Sequence, residues 1–485
     1  MKKVLLITLS ILLLAGCKDY LNVEYNGKAT ISTFFSDYDG LENASQGLHR
    51  LMLNFYEDDV ILYDMTRSDQ VNLKSTADDK YKVLFNYTIT PNDIYMSRTY
   101  YMNGYEIITN ANNILLYAPE LKNTEPSHLS DIDRIMGYAY FARALAHFQI
   151  CNAYAQPYNY TADASHLGIC VMDHIPGFND DLPRNTVKEV YDLVIKDLKA
   201  GIELLGDDSI PNQYYASGIA CEALLARVYL YMEDWDNAET YSAKVMSKIP
   251  LSPYSEYENL FRGGPDVKGT ETIFRLNSYG TGTVGVQYYC SPMSKYQIYP
   301  DPAMTSNYVD DDIRLKMLTY VCTDDDPAAY HGLSFPAILK YCIYPSITDQ
   351  YKRWVCPIVL RSSEMYLIHA EALTNKTNPD LAGAAADIKA LEARARNKTV
   401  DNITLSYSNA SDMNDIIEKE RIKELDFEGH RFFDIIRRKK DLVRSSSSNS
   451  SIKKITYPDY RFVLPINYLE MQANRAMKQN EGYTN

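Results

Sequence analysis

The residues that could do chemistry fall into small groups, and most of them fail a spacing test. Gly280-Thr281-Gly282-Thr283-Val284-Gly285 fits GxGxxG and follows a strand-like piece, Glu271–Leu276. A pyrophosphate site also needs a helix opening at those glycines, with its first amides facing the ligand. The following VQYYCSPMSKYQIYP is broken by Pro292 and Pro300, so a glycine loop is expected. His369-Ala370-Glu371 has the HxE of a zinc deaminase without the PCxxC that completes it. Glu428-Gly429-His430 lacks HExxH spacing, and no GxSxG elbow presents a serine. Both histidines read as helix residues. Asp310–Asp312 and Asp324–Asp326 offer calcium oxygens without EF-hand spacing and read as solvated acidic turns. With 63 acids in the chain, no single carboxylate pair marks a hydrolase. The expectation is no catalytic residue, no cofactor and no metal.

Tyrosine is the unusual component, at 42 residues. Tyr279, Tyr288, Tyr289, Tyr296 and Tyr299 crowd a glycine- and proline-rich region, and Tyr81, Tyr87 and Tyr95 a second stretch. A tyrosine ring is apolar with a polar tip, which suits wet binding surfaces. The CH face of a pyranose stacks on such a ring while Asp and Asn take its hydroxyls. The competing use is core filling between helices. Tyr95, Tyr288, Tyr289 and Tyr296 are the candidate ligand contacts.

Helices must position these loops. Asp39–Tyr56 carries Leu41, Ala44, Leu48, Leu51 and Phe55 at helical spacing, and Glu57–Asp93 reads as a long loop. Helical segments then come in pairs: Tyr100–Tyr117 with Ser130–Ala155, and Thr186–Leu205 with Ser217–Met232 and Trp235–Ile249. Thr186 and Glu189 form a capping box. Ala223–Leu230 followed by Trp235-Asp-Asn-Ala-Glu has tetratricopeptide wording, and such pairs stack into a scaffold. Arg361–Leu373 and Leu381–Arg396 make another pair. Ile417–Lys440 reads as one helix with Ile422, Leu425, Gly429, Phe432 and Ile436 on its apolar face, and with Glu428–Arg431 and Asp434–Arg438 as ion pairs. Ser445–Ser451 reads as a hinge and Tyr460–Pro465 as a strand. The fold class expected is mostly α, tetratricopeptide-like helix pairs under irregular loops and small β elements.

Met1–Gly16 has Lys2, Lys3 and the apolar run Val4–Ala15, too short to span a bilayer and right for a secretory leader. Leu14-Ala15-Gly16-Cys17 looks like a lipobox, which makes Cys17 the lipidated N-terminus. Residues 17–29 follow as a tether, then a helical region over 30–250 and a loop-bearing region over 251–485. No later run is apolar enough to span, so lipid would be the anchor. Net charge is −14, and removing the leader's two cations and no acid gives −16. That argues against nucleic acid or anionic lipid as partner. Cys151, Cys170, Cys221, Cys290, Cys322, Cys342 and Cys356 are an odd set without CxxC, expected as buried thiols with one surface disulfide left open.

Taken in order, several of these pieces have the wording of one family. They are the lipobox with Asp19-Tyr20-Leu21, Phe34-Phe35, Asp312-Ile313-Arg314, RSSEMYLIHAEAL (361–373), RIKELDFEGHRFFDIIRRK (421–439) and the closing QANRAMKQNEGY (472–483). The sequence resembles the SusD/RagB family of surface lipoproteins. The resemblance implies a protein held by lipid on Cys17 at the outer membrane, facing outward. It would capture an oligomeric nutrient, a glycan before a peptide, for a SusC-like TonB-dependent transporter. It also implies a binding acid in the early loop, for which Asp69 is the candidate, and often a tryptophan platform. Trp235 opens a helix and Trp354 lies in a strand-like run, so neither reads as that platform. The rival readings are a surface hydrolase and a structural tetratricopeptide adaptor.

Overall fold

The computed structural model describes residues 30–93, 95–177, 180–207, 209–210, 212–261, 271–278, 285–292, 294–322, 328–342 and 355–484. The leader, Cys17, the tether, Tyr279, Gly280–Val284, Asp324–Asp326 and Trp354 lie outside the described residues.

The chain is a stack of helices. Tyr38–Asn54 packs on Met96–Thr124, which packs on Leu129–Tyr154, then Val187–Leu205 and Gly218–Met232. Trp235–Met246 continues onto Ser362–Asn375, which carries Leu381–Ala395 and Ala410–Glu424. Short links between neighbours let each pair fold back on itself and cover the next pair's apolar side. The capping box is present: Glu189 N–H donates to Thr186 Oγ1 at 3.2 Å, and Thr186 N–H to Glu189 Oε2 at 2.8 Å. The main core draws on residues from Phe35 to Met477, so the C-terminal tail seals the scaffold. Among the described residues, no helix is long and apolar enough to cross a membrane.

The described strands form four two-stranded antiparallel pairs. Thr272–Arg275 pairs with Ile358–Arg361, so the strand expected at Glu271–Leu276 is present. Val71–Leu73 pairs with Ile298–Pro300, Val71 opposite Pro300 and Leu73 opposite Ile298. That ladder ties the early segment to the tyrosine-rich one.

Four expectations are corrected. Glu57–Asp93 is not a loop: Tyr38–Asn54 runs on through a π-helical turn, Phe55–Val60, into the helix Ile61–Arg67, and Asp79–Phe85 is helical too. Ile417–Lys440 is not one helix. Ala410–Glu424 ends, the chain turns through Gly429 at φ +85°, and Arg431–Arg437 starts afresh. Buried cations cause the break. Lys340 Nζ donates to the carbonyls of Glu424 and Asp426 at 3.1 Å, and Arg361 Nη2 takes the Glu424 carbonyl at 2.5 Å. Carbonyls so engaged are served without another helical turn. Ser445–Ser451 is a packed loop: Ser450 Oγ donates to the Phe85 carbonyl at 2.9 Å, and Asn449 bonds Asn72 and Leu73. Tyr460–Phe462 is a 3₁₀ turn, and Leu464 N–H goes to the Ala153 carbonyl on a helix.

Candidate ligand-binding site

The π-helical turn at Phe55–Val60 sets three consecutive acids, Glu57, Asp58 and Asp59, against the tyrosine-rich segment. A π-turn inserts one residue into the helical ladder and often accompanies a functional site. Beside it lies a cavity of about 410 Å³, lined by Arg50, Asn54, Glu57, Asp58, Asn103, Glu106, Tyr288 and Tyr289 among others. Glu57 is 5% exposed. The Gly285 N–H donates to its carboxyl, while Oε2 has no partner. Burial, helped by the Asp58 charge, pushes Glu57 up to about 9, so this carboxyl is protonated at neutral pH. Burial also raises Asp59 to about 7, although Asn103 (2.8 Å) and Thr99 (3.2 Å) donate to it. Asp58 is raised by burial and opposed by Lys80 and Arg50.

Gly285 opens a short helix, Gly285–Cys290, while the glycine loop expected over Gly280–Val284 lies outside the described residues. A Cβ on Gly285 would stand 1.8 Å from Asp58 Oδ1, so any side chain there requires the Asp58 carboxyl to move. The helix starts against two carboxyl groups, which does not suit a pyrophosphate.

From this helix the chain places its tyrosines on the rim. Tyr288 is 41% exposed and Tyr289 half-buried, edge-on to the buried Tyr81 at 4.8 Å. Lys295 N–H donates to the Tyr288 carbonyl at 3.1 Å, and Gln297 N–H to the Tyr289 carbonyl at 2.8 Å. These bonds fold Tyr296 back beside its neighbours at φ +44°. The Tyr296 hydroxyl donates to the Pro336 carbonyl, and its ring meets Tyr299 and Phe335. Lys80 lies 4.7 Å over Tyr81 and 5.2 Å over Tyr289, and Lys74 lies 4.5 Å over Tyr296. Lys295 covers Tyr289 at 5.4 Å while bonding Asp78 at 3.0 Å.

The structure thus brings Tyr288 and Tyr289 together in the cavity lining, while Tyr296 lies outside that lining, against Pro336, Tyr299 and Phe335. Tyr95 is exposed, but it stands at the opening of Met96–Thr124, outside the cavity lining, with its N–H donating to Asp93. Asp69 is held elsewhere, its two oxygens on Arg431 at 2.9 and 2.7 Å. Tyr81 and Tyr87 are core residues, not loop aromatics; Tyr87 packs over Arg67 at 4.3 Å. Sequence reasoning missed Arg50, Glu57, Asp58, Asn103 and Glu106. The available signal was three acids inserted where an apolar helical pattern continues on both sides.

The remaining motifs are structural. Glu371 is gripped by Arg437 (2.7 Å) and Arg438 (2.6 Å), and His369 Nδ1 meets Asp387 at 2.6 Å. His430 is buried just before a helix rather than within one. Asp312 is not a solvated turn: it is buried on Arg314 at 2.7 Å, and Asp311 pairs with Arg396. Glu428 binds Lys340 (2.7 Å) and Arg361 (2.8 Å), not Arg431, and Asp434 binds Arg421 and Arg437 at 2.8 Å, not Arg438. Arg361 and Arg394 share Glu271 and Glu424, and Arg314 shares Glu424 with them. The seven described cysteines are all free and buried, so none forms a surface disulfide.

Two family models match the chain. Residues 19–230 match one described as "Starch-binding associating with outer membrane", and residues 334–483 match the SusD family. A SusD-like protein of Formosa agariphila is 25% identical over 514 residues, covering 98% of each chain, and a second from that organism is 22% identical over 531 residues, covering 99% of this chain and 98% of the relative. Among solved structures, a SusD superfamily protein of Bacteroides thetaiotaomicron superposes with a TM-score of 0.78 at 24% identity, covering 92% of this chain and 99% of the other. A putative sugar binding protein of Bacteroides vulgatus gives 0.77 at 24% identity, with the same coverage. Family models over both ends of the chain and relatives along nearly all of it agree with the fold and with the buried motifs: the chain belongs to the SusD/RagB family.

Proposed function

We propose that this protein is a cell-surface nutrient-binding lipoprotein that captures an oligosaccharide and delivers it to a SusC-like TonB-dependent transporter. The observation that carries the reading is the pair Tyr288 and Tyr289 in the lining of a polar cavity of about 410 Å³. Exposed aromatic edges with nearby carboxyl, amide and ammonium groups suit a ligand that is apolar on its faces and polar at its edges. The family supports it, and so does the sugar-binding name carried by one structural neighbour. Tyr95, Tyr296 and Asp69 lie outside the cavity lining, and in this reading they take no part in first capture.

Calorimetry against a panel of oligosaccharides tests the reading. One or more should bind without turnover, and the Tyr288→Ala, Tyr289→Ala double variant should lose about 1–3 kcal/mol of binding. Turnover of a bound sugar would instead favour the hydrolase reading, and no binding across sugars and peptides the adaptor.

Lipid on Cys17 is the anchor in this reading. Cys17→Ala should release the protein from membranes. Mass spectrometry showing unmodified Cys17 in the membrane fraction would remove the anchor from the account.

A further inference from the structure

Glu57 carries one polar atom that the fold leaves unserved. Its side chain lines the cavity beside Tyr288 and Tyr289, is 5% exposed, and holds Oε2 without a partner among the described residues. With Oε2 free, the N–H that Gly285 gives this carboxyl falls on Oε1. Oε1 then accepts as the carbonyl oxygen, and the proton belongs on Oε2, which becomes a donor on the cavity wall with nothing to donate to. The ionised form would leave a buried charge with one hydrogen bond beside Asp58, and both burial and the like charge oppose it. A buried donor without an acceptor costs stability, and in a cavity wall the acceptor can come from a ligand.

The neighbouring groups are engaged with one another. Asp58 faces the charges of Arg50 and Lys80, and Asn103 spends an amide hydrogen on Asp59 at 2.8 Å. Glu106 stands at the exposed edge of the cavity. What this wall lacks is an acceptor for Glu57, which a sugar oxygen supplies without bringing a charge.

Resting on the capture reading above, we infer that Glu57 is the specificity-determining residue of this cavity, its free oxygen donating a hydrogen bond to an uncharged oxygen of the bound oligosaccharide, a hydroxyl or a ring oxygen. A ligand without an oxygen at that place leaves the donor unpaired and is rejected. The proton on Glu57 is then part of the site, so capture is coupled to it. Burial holds this carboxyl protonated up to about 9, and affinity falls as pH rises through that value. A carboxylate acting as acceptor would give the opposite sign, gaining affinity as it ionised.

The test is calorimetry on the full mature chain with maltohexaose, cellohexaose and xylohexaose, and with oligogalacturonate as charged control, at pH 7 and about 10. Asp58, Asp59, Glu106, Arg50, Lys80, Tyr288 and Tyr289 also hold charge or titrate around Glu57, so the parent is read against Glu57→Gln, which keeps all of them. For the tightest of the three neutral sugars, the parent should weaken about tenfold between the two pH values. Glu57→Gln keeps an N–H where the O–H stood, so it should bind within threefold of the parent at pH 7 and lose no more than threefold on going to the higher pH. Glu57→Ala should bind at least tenfold more weakly at pH 7; if that variant does not fold, the comparison of parent with Glu57→Gln decides alone. A purely structural Glu57 would move the melting temperature and leave parent and Glu57→Gln with the same pH profile of binding, which overturns the inference. Loss of binding in Glu57→Gln at pH 7, at the parent's melting temperature, overturns it too, since the carboxylate would then be the acceptor. Binding lost in Tyr288→Ala, Tyr289→Ala but indifferent to Glu57, or binding of oligogalacturonate alone, overturns the inference and leaves the capture reading standing. Failure of all four sugars overturns both.

Discussion

Asp69 and Arg431, 362 positions apart, form a two-bonded ion pair at 2.9 and 2.7 Å. The pair pins the end of the Ile61–Arg67 helix to the start of Arg431–Arg437, where Phe432 N–H also donates to Asp64 at 2.8 Å. Burial works against an ionised Asp69, but Arg431 holds it below the usual carboxylate range. The acid suggested by family wording is therefore a fastener in this chain.

Asp69→Ala should accordingly cost stability and not ligand affinity. Arg431 would keep only Glu418, at 3.2 Å, and the loss should be about 1–3 kcal/mol. Urea unfolding beside calorimetry separates the two effects. Unchanged stability with weakened binding would return Asp69 to the binding site.

Gly429 sits at φ +85°, and a Cβ there would meet Val60 Cγ1 at 3.7 Å, an ordinary contact. Space is therefore not the constraint, and the backbone is. Gly429→Ala should cost about 1–2 kcal/mol for a left-handed residue with a side chain. A melting temperature equal to that of the parent would show that the turn can relax.

How much of this was legible in the sequence differs from element to element. Helix pairs such as Val187–Leu205 with Gly218–Met232 were readable because period and caps agree. The single helix expected over Ile417–Lys440 failed because i+3 and i+4 spacing cannot reveal partners far away in sequence. Arg361 is 63 residues before Glu424, and Lys340 is 86 before Asp426. The Tyr288 and Tyr289 rim was visible as aromatic residues in glycine- and proline-rich sequence. The cavity beneath it was not, because Glu57–Asp59 read as the start of a long loop after a helix ending at Tyr56, where the chain in fact continues through a π-turn.

Glu57 gives a pH signature. Its carboxyl titrates at about 9 when folded, against an ordinary value of 4.5. The folded chain keeps a proton that the unfolded chain releases, so this group makes stability fall as pH rises from about 4.5 to 9. Glu57→Gln should flatten that decline, measured by urea midpoints across the window. An unchanged slope would mean that Glu57 is ionised in the fold.

Glu371 acts at the opposite end. Burial would raise it, but Arg437 and Arg438 pull it down to about 2, from an ordinary 4.5. Its contribution is present above pH 4.5 and is lost as pH falls towards 2. Glu371→Gln should lower stability near neutrality and shrink the acid-side loss in that window. Parallel acid unfolding curves for the two proteins would contradict the assignment.

The central claim is that ligand is captured at the tyrosine rim beside the cavity under Glu57 and Arg50. A crystal structure of the mature chain with its tightest-binding oligosaccharide tests this most directly. The account predicts a sugar ring packed on Tyr288 and polar contacts from the cavity wall. A sugar bound elsewhere, for instance between Tyr160 and Tyr460 in the second cavity of about 420 Å³, would contradict it.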